Sequence, residues 1–412
     1  MQALPKLISS RPPKSFLTPK SLLALAALGL TAFGLTPAAQ AAPAYTLIDL
    51  GTLGGTLSYG YGVNASGQVT GYSGTNISNS NSHAFLSAAN GGALTNLGTL
   101  NSALLTANSQ GYGVNDQGQV AGYSGTGNGT HAFLSGANGG ALTDLGTLPG
   151  GTDSYGKGVN ASGQVTGYSG TTISTSNSHA FLSAANGGAL KDLGTLNSAL
   201  LTANSYGYGV NASGQVTGYS GTGNGTHAFL SGANGGALTD LGTLGGTYSQ
   251  GYGVNDQGQV AGVSRTSSGK FHAFLSGVNG GGLIDLDTLL GDDSSYGYAV
   301  NGLGQVVGES YNAINGGVRH AFLDSGGTMT DLSTMIAPGT GFTMTGAYGI
   351  SDTGFITGVG YNSAGQTDAF LLTPVASPSA APEPSQVAAL GLTALGVLGL
   401  TLRARRRKAQ LG

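Results

Sequence analysis

Gly62-Val63-Asn64-Ala65-Ser66-Gly67-Gln68-Val69-Thr70-Gly71 decides how the chain is read. Asn64 to Gly67 has turn chemistry, and residues 68–72 alternate in polarity as a strand does. The same words return with their Asn at Asn115, Asn160, Asn211, Asn255 and Asn301, and in worn form around Ser351. The mean spacing is about 48 residues, within the ~40–50 residues of propeller-blade repeats. One unit repeated seven times therefore fills most of the 412 residues, where length alone would suggest two or three domains.

Two further words extend the unit. His-Ala-Phe-Leu begins at His83, His131, His179, His227, His272 and His320, which are all six histidines, and Asp368-Ala369-Phe370-Leu371 is its seventh form. Asp-Leu-Gly-Thr-Leu or a variant begins at Asp49, Asn96, Asp144, Asp192, Asp240, Asp285 and Asp331. Each repeat reads as four antiparallel strands with no helical period, the third and fourth joined by a tight Asn90-Gly91-Gly92 turn. Seven four-stranded units predict an all-β, seven-bladed β-propeller over residues 42–374, with a β-solenoid as the alternative. Residues 45–51 are a fourth strand without its first three, and residues 368–373 a third strand without a fourth. Together they complete one blade. A ring needs that offset to remove its exposed sheet edge, whereas a solenoid caps its ends.

Composition supports a packed body. There are 77 glycines, no cysteine and 8% charged residues, against about 25% in an ordinary soluble domain. The 39% of hydrophobic residues recur at fixed spacing, which points to a core and assigns the glycines to turns. The absence of cysteine fits an exported protein stabilised by a large fold.

The ends read as sorting segments. Residues 1–41 form a signal peptide: a basic lead, an apolar run without a charge, and small residues at Ala39 and Ala41 before the cleavage point. Residues 375–385 form a linker carrying Pro382-Glu383-Pro384, residues 386–402 an apolar transmembrane helix, and residues 403–412 a basic cytoplasmic tail with Arg403, Arg405, Arg406, Arg407 and Lys408. The order of tripeptide, apolar helix and basic cluster resembles the PEP-CTERM sorting signal over about 30 residues. That resemblance implies an exosortase-like processing protease as partner. It implies export across the inner membrane, transient anchoring there by the C-terminal helix, and a cell-surface or extracellular product in an exopolysaccharide-rich biofilm matrix. The repeat words resemble the HAF-repeat family of bacterial extracellular proteins over residues 45–374, a resemblance that brings no activity to any residue.

From residue 42 to 383 the chain keeps five basic residues, Lys157, Lys191, Arg265, Lys270 and Arg319, against all 17 acidic ones, a net charge of −12. That balance disfavours nucleic acid or anionic lipid as a partner. The histidines come one per repeat, whereas structural zinc needs three or four ligands at one point, so His and Asp read as structural hydrogen-bond partners, with Asp368 in the seventh place. No cofactor is expected. Asp116, Asp256, Asp292 and Asp293 are the candidate calcium ligands, without an EF-hand loop or a calcium-binding nonapeptide around them.

Length variation is confined to two of the four connections. The second-to-third strand connection and the fourth-to-first connection vary, and both emerge on one face, where Asn76, Asn79, Asn81, Asp292 and Asp293 are the candidate ligand residues. The tyrosines after Gly71, Gly122, Gly167 and Gly218 suit a sugar platform, but their recurrence favours inter-blade packing. A glycosidase needs two carboxylates in one pocket, and Glu309 is the lone Glu before the tripeptide. A catalytic site should break the repeat symmetry, and no break clusters along the sequence. The expectation is a non-enzymatic matrix protein. The alternatives are a lectin-like glycan-binding propeller and a polysaccharide hydrolase or lyase. Replacing Glu383 with Ala should leave the C-terminal tail attached in the native host, read as the mass of the mature C-terminus. Normal trimming of that variant would refute the sorting-signal reading.

Overall fold

The computed structural model describes residues 44–104, 106–171, 177–200, 203–313 and 317–375. The signal peptide with Ala39 and Ala41, the Pro382-Glu383-Pro384 tripeptide, the apolar helix and the basic cluster lie outside the described residues. Among those described, no helix is long and apolar enough to cross a membrane.

The architecture is all-β. Strand β1 (Tyr45–Asp49) opens it. Strands β2 (Ser58–Val63), β3 (Val69–Gly74), β4 (Ser82–Ser87) and β5 (Leu94–Gly98) form the first complete antiparallel sheet, in sequence order. The same four-strand order recurs over residues 109–144, 154–192, 205–240, 245–285 and 294–331. The third and fourth of these five recurrences share one eight-stranded sheet through a single parallel pairing of Thr226 with Tyr248. The last copy supplies three strands, Thr343–Ile350, Ile356–Tyr361 and Thr367–Pro374. Its fourth place is taken by β1, which runs antiparallel to Thr367–Pro374 with Tyr45 opposite Pro374 and Asp49 opposite Phe370.

The Asn-x-x-Gly turn explains the most repeated word. Asn64 is buried. Its Oδ1 accepts from the Ser66 and Gln68 amides at 3.1 and 2.9 Å, closing its own turn. Its Nδ2 donates to Gln68 Oε1 at 2.8 Å and to the Asn115 carbonyl of the next copy at 3.0 Å. Gly67 sits at φ +71°, a conformation costly for any residue with a Cβ. The link to the next turn is repeated from Asn115 to Asn160, Asn160 to Asn211, Asn211 to Asn255 and Asn255 to Asn301, each at 3.0 Å. Asn301 reaches the Ser351 carbonyl at 3.4 Å. Ser351 has no amide to pass the link on. Thr353 Oγ1 instead donates to the Ala65 carbonyl of the first copy at 3.0 Å.

Cores lie between neighbouring sheets. Phe85, Phe133, Phe181, Phe229, Phe274, Phe322 and Phe370, one per His-Ala-Phe-Leu word, are fully buried. Phe133 packs with Ala84 and Leu86 of the preceding copy, and Phe85 with Ala369 and Leu371 of the last. Within the first sheet, Gly71 lets β3 run close to β2, since a Cβ there would lie 1.7 Å from the Tyr59 carbonyl oxygen. The Asn-Gly-Gly connection differs from the plain tight turn expected. It is a single 3-10 turn with Asn90 at φ +53°, a left-handed conformation that Asn tolerates better than most residues.

Asn211→Ala removes the side chain that holds its own turn and reaches the next, and leaves the buried Asn255 carbonyl short of a donor. It should destabilise the body by about 2–3 kcal/mol in chemical denaturation. Asn211→Ser, the residue type found at Ser351, should cost less. A loss for the Ala variant below about 0.5 kcal/mol would contradict the role given to this amide.

Candidate functional site: a tyrosine floor broken by Lys157 and Glu309

The turn sets the register of the strand before it. Counting back three residues from each turn Asn, and from Ser351, gives Tyr61, Tyr112, Lys157, Tyr208, Tyr252, Tyr298 and Tyr348. All seven side chains line one cavity of about 280 Å³. Two residues earlier stand Tyr59, Tyr155, Tyr206 and Tyr296, which share a strand face with them because strand side chains alternate. Tyr72, Tyr123, Tyr168 and Tyr219 come from the next strand, and Tyr59 lies directly opposite Tyr72 in the ladder.

The rings touch one another from copy to copy. Tyr123–Tyr155, Tyr155–Tyr168, Tyr168–Tyr206 and Tyr206–Tyr219 have centroids 4.8–4.9 Å apart, alternating edge-on and stacked. The inner positions join on through Tyr61–Tyr112 at 4.7 Å, Tyr298–Tyr348 at 5.0 Å and Tyr61–Tyr348 at 5.4 Å. These rings are half-buried rather than sealed. Burial pushes the phenols of Tyr61, Tyr112, Tyr168 and Tyr208 upward, and that of Tyr72 to about 12, so these remain hydroxyls across the physiological range. The variable connections border this floor. A groove of about 630 Å³ is lined by Tyr123 and Tyr155 together with Leu104, Asn108, Gly125 and Thr130. A second, of about 300 Å³, joins Tyr155, Tyr168 and Tyr206 to Thr152, Asp153 and Ser178.

Two charged residues break the repeat on this floor. Lys157 replaces the inner tyrosine of its copy, and its Nζ lies 3.5 Å from the Tyr112 ring centroid and 5.3 Å from that of Tyr123. Burial pulls its amine down to about 7. Glu309 replaces the second-strand tyrosine of its copy and is buried. It accepts from the Tyr298 hydroxyl at 2.9 Å and from the Arg319 guanidinium, which stacks 4.7 Å from the Tyr311 ring. No sequence motif marks either residue; Glu309 stands out as the lone Glu before the tripeptide, whereas only alignment of the seven copies exposes Lys157.

The expected ligand residues lie in the variable connections and make local contacts there. Asn79 braces its loop, accepting from the Thr56 amide at 3.0 Å and donating to Thr56 Oγ1 at 2.6 Å. Asn76 Oδ1 accepts from Ser78 Oγ at 2.9 Å, and the Asn81 carbonyl accepts from the Thr75 amide. Asp292 meets His320 at 3.3 Å, and Asp293 pairs with Lys270 at 2.5 Å. These groups brace their own loops.

Five histidines face the acid or amide thirteen residues on. His83 Nδ1 lies 3.0 Å from Asn96 Oδ1, and His131, His179, His227 and His272 lie 2.8–2.9 Å from Asp144, Asp192, Asp240 and Asp285. His320 departs from the pattern because Asp331 caps the 3-10 turn Leu332–Met335, accepting from the Ser333 amide, which leaves Asp292 as the partner. Asp368 accepts from Asn362 Nδ2 at 2.6 Å, while burial and the neighbouring Asp49 push its carboxyl up. Among the described residues no three His, Asp or Glu side chains gather as a metal site. Of the candidate calcium ligands, Asp116 and Asp256 accept from the Ala65 and Ala212 amides.

No family model and no curated protein matches the chain. Solved structures do. TolB from Acinetobacter baumannii is 12% identical over 77% of this chain and 63% of its own, with a TM-score of 0.41. The β-propeller domain of the Trilobed protease from Pyrococcus furiosus, which has an open velcro topology, is 6% identical over 79% of this chain and all of its own, with a TM-score of 0.47. A puromycin hydrolase variant is 14% identical over 79% of this chain and 54% of its own, with a TM-score of 0.49. The body itself is an all-β protein built of repeated four-stranded sheets. The hydrolase is an enzyme, which overturns the expectation that this chain is not one. That expectation leaned on the lack of clustered symmetry breaks along the sequence, and folding puts both Lys157 and Glu309 on the tyrosine floor.

Lys157 has a measurable cost. Its amine is held below the ordinary lysine range in the folded chain, so the unfolded chain binds more protons between about pH 7 and 10, and stability rises with pH across that window. Lys157→Met should be more stable than the parent by about 1–3 kcal/mol at pH 7, and the difference should shrink toward pH 10. A difference in denaturation midpoint that does not vary with pH would contradict the buried-amine assignment.

Proposed function

We propose that the chain is an exported, surface-displayed or released seven-bladed β-propeller, closed by its N-terminal strand, that binds saccharides of an extracellular matrix on its tyrosine-floored face. The observation that carries this reading is the run of half-buried tyrosines bordered by variable loops. A tyrosine offers an apolar ring face and a polar tip. A sugar ring offers the complement, with C–H faces and a rim of hydroxyls. The grooves of about 630 and 300 Å³ reach the size of small-ligand sites. The Asn, Ser and Thr of the bordering connections supply further donors and acceptors.

The pairing of β1 with Thr367–Pro374 and the bond from Thr353 to Ala65 support the closed ring. Export, processing by an exosortase-like protease at Pro382-Glu383-Pro384 and residence in an exopolysaccharide matrix rest on the resemblance of the tail to a PEP-CTERM signal. The net charge of −12 on the body fits a partner that is neither nucleic acid nor an anionic membrane.

Tyr168→Ala with Tyr206→Ala removes the middle of the floor without touching the turn asparagines. Titration calorimetry against the host's own exopolysaccharide should show at least tenfold weaker binding for this double variant, as loss of two ring platforms implies. Asn76→Ala should bind as the parent does. Chain length of the saccharide, followed in the same samples, reports turnover. Absence of binding by the parent protein, or undiminished binding by the double variant, would overturn the reading.

A further inference from the structure

We propose that the cavity lined by Tyr61, Tyr112, Lys157, Tyr208, Tyr252, Tyr298 and Tyr348 takes a single sugar unit bearing a carboxylate, with the Lys157 ammonium as its anchor. The proposal rests on the saccharide-binding reading and names the chemistry of one subsite within it.

The starting point is an account of the body's cations. Lys191 donates to the Asn234 carbonyl at 3.0 Å and Arg265 to the Gly269 carbonyl at 3.1 Å. Lys270 is paired with Asp293 and Arg319 with Glu309. Lys157 alone among the described basic residues has no hydrogen-bond acceptor or carboxylate, only the Tyr112 and Tyr123 ring faces. An ammonium carries three donors and no acceptor. Leaving those donors unpaired in a half-buried site costs free energy that a tyrosine, the residue of the six other copies, would not incur. The fold could therefore dispense with this lysine, and its geometry suits an acceptor arriving from outside.

Shape and charge narrow that acceptor. The cavity of about 280 Å³ is at the small end of ligand sites, so it holds one ring and not an oligomer. Six phenol rings around it provide stacking surface and hydroxyls. Its one cation matches one negative charge. The Tyr298 side of the cavity is backed by the buried Glu309 carboxylate, and the body as a whole is acidic, so a second negative charge on the ligand is disfavoured. A hexuronate unit, with one carboxylate on a stackable ring, meets these conditions. The depressed amine adds a consistent feature: a carboxylate beside it would restore the charged form.

The test uses the mature protein purified from its host, a hexuronate disaccharide and the matching neutral hexose disaccharide. The parent should bind the uronate at least tenfold more tightly than the hexose. Lys157→Tyr, which installs the residue of the six other copies, should bind the two sugars within about twofold of each other. Equal affinities in the parent, or a uronate preference that survives Lys157→Tyr, would overturn the anchor while leaving saccharide binding intact. Binding of neither sugar, with the host exopolysaccharide also unbound, would remove both the subsite and the reading it rests on.

Discussion

The side-chain amide of the turn asparagine is the contact on which the rest depends. One group does two jobs. Its oxygen mimics a backbone acceptor and closes the Asn-x-x-Gly turn, and its nitrogen reaches the carbonyl of the next copy's turn. Each of the first six copies is thus held to the next through a buried amide hydrogen bond of 3.0–3.4 Å, and a buried carbonyl left without its donor would be costly. Because the turn sits at the end of the first strand, this contact also sets where every residue upstream of it falls. Tyrosines three and five residues before the Asn are delivered to the same place in copy after copy, which is why their rings meet.

That delivery has a chemical consequence. Repetition normally makes a surface uniform, and a single exchange then stands out physically. Lys157 introduces an amine where the other copies present phenols, and Glu309 introduces a carboxylate where four copies present a tyrosine. The carboxylate is satisfied by Tyr298 and Arg319, so its copy has been rebuilt around it. The amine has not been matched in the same way. The outer edges of the sheets are more uniform: five of the six histidines meet the residue thirteen positions on, and the exceptions, His320 and Asp368, occur where the following segment or the sequence word has changed.

Much of the fold was legible in the residues. The four-strand unit followed from alternating polarity and turn chemistry, and the offset of residues 45–51 foretold the pairing with the last strand, seen residue by residue from Tyr45 to Asp49. The site was far less legible. Asn76, Asn79 and Asp293 drew notice as polar loop residues, yet each is committed to a neighbour within its own loop or the next. In the sequence the tyrosines after Gly71 and its equivalents read as packing, because recurrence alone cannot distinguish a buried seam from a half-open floor.

By itself the sequence determined the repeat, the strand order within it and the charge of the body, because all of these are properties of local pattern and composition. The tertiary structure decided which residues face one another across copies. Lys157 and the tyrosines that share its cavity are spread along the chain from residue 61 to 348 and carry no motif. They become one site only when seven strands are brought side by side, since convergence in space depends on sheet packing and not on spacing along the chain.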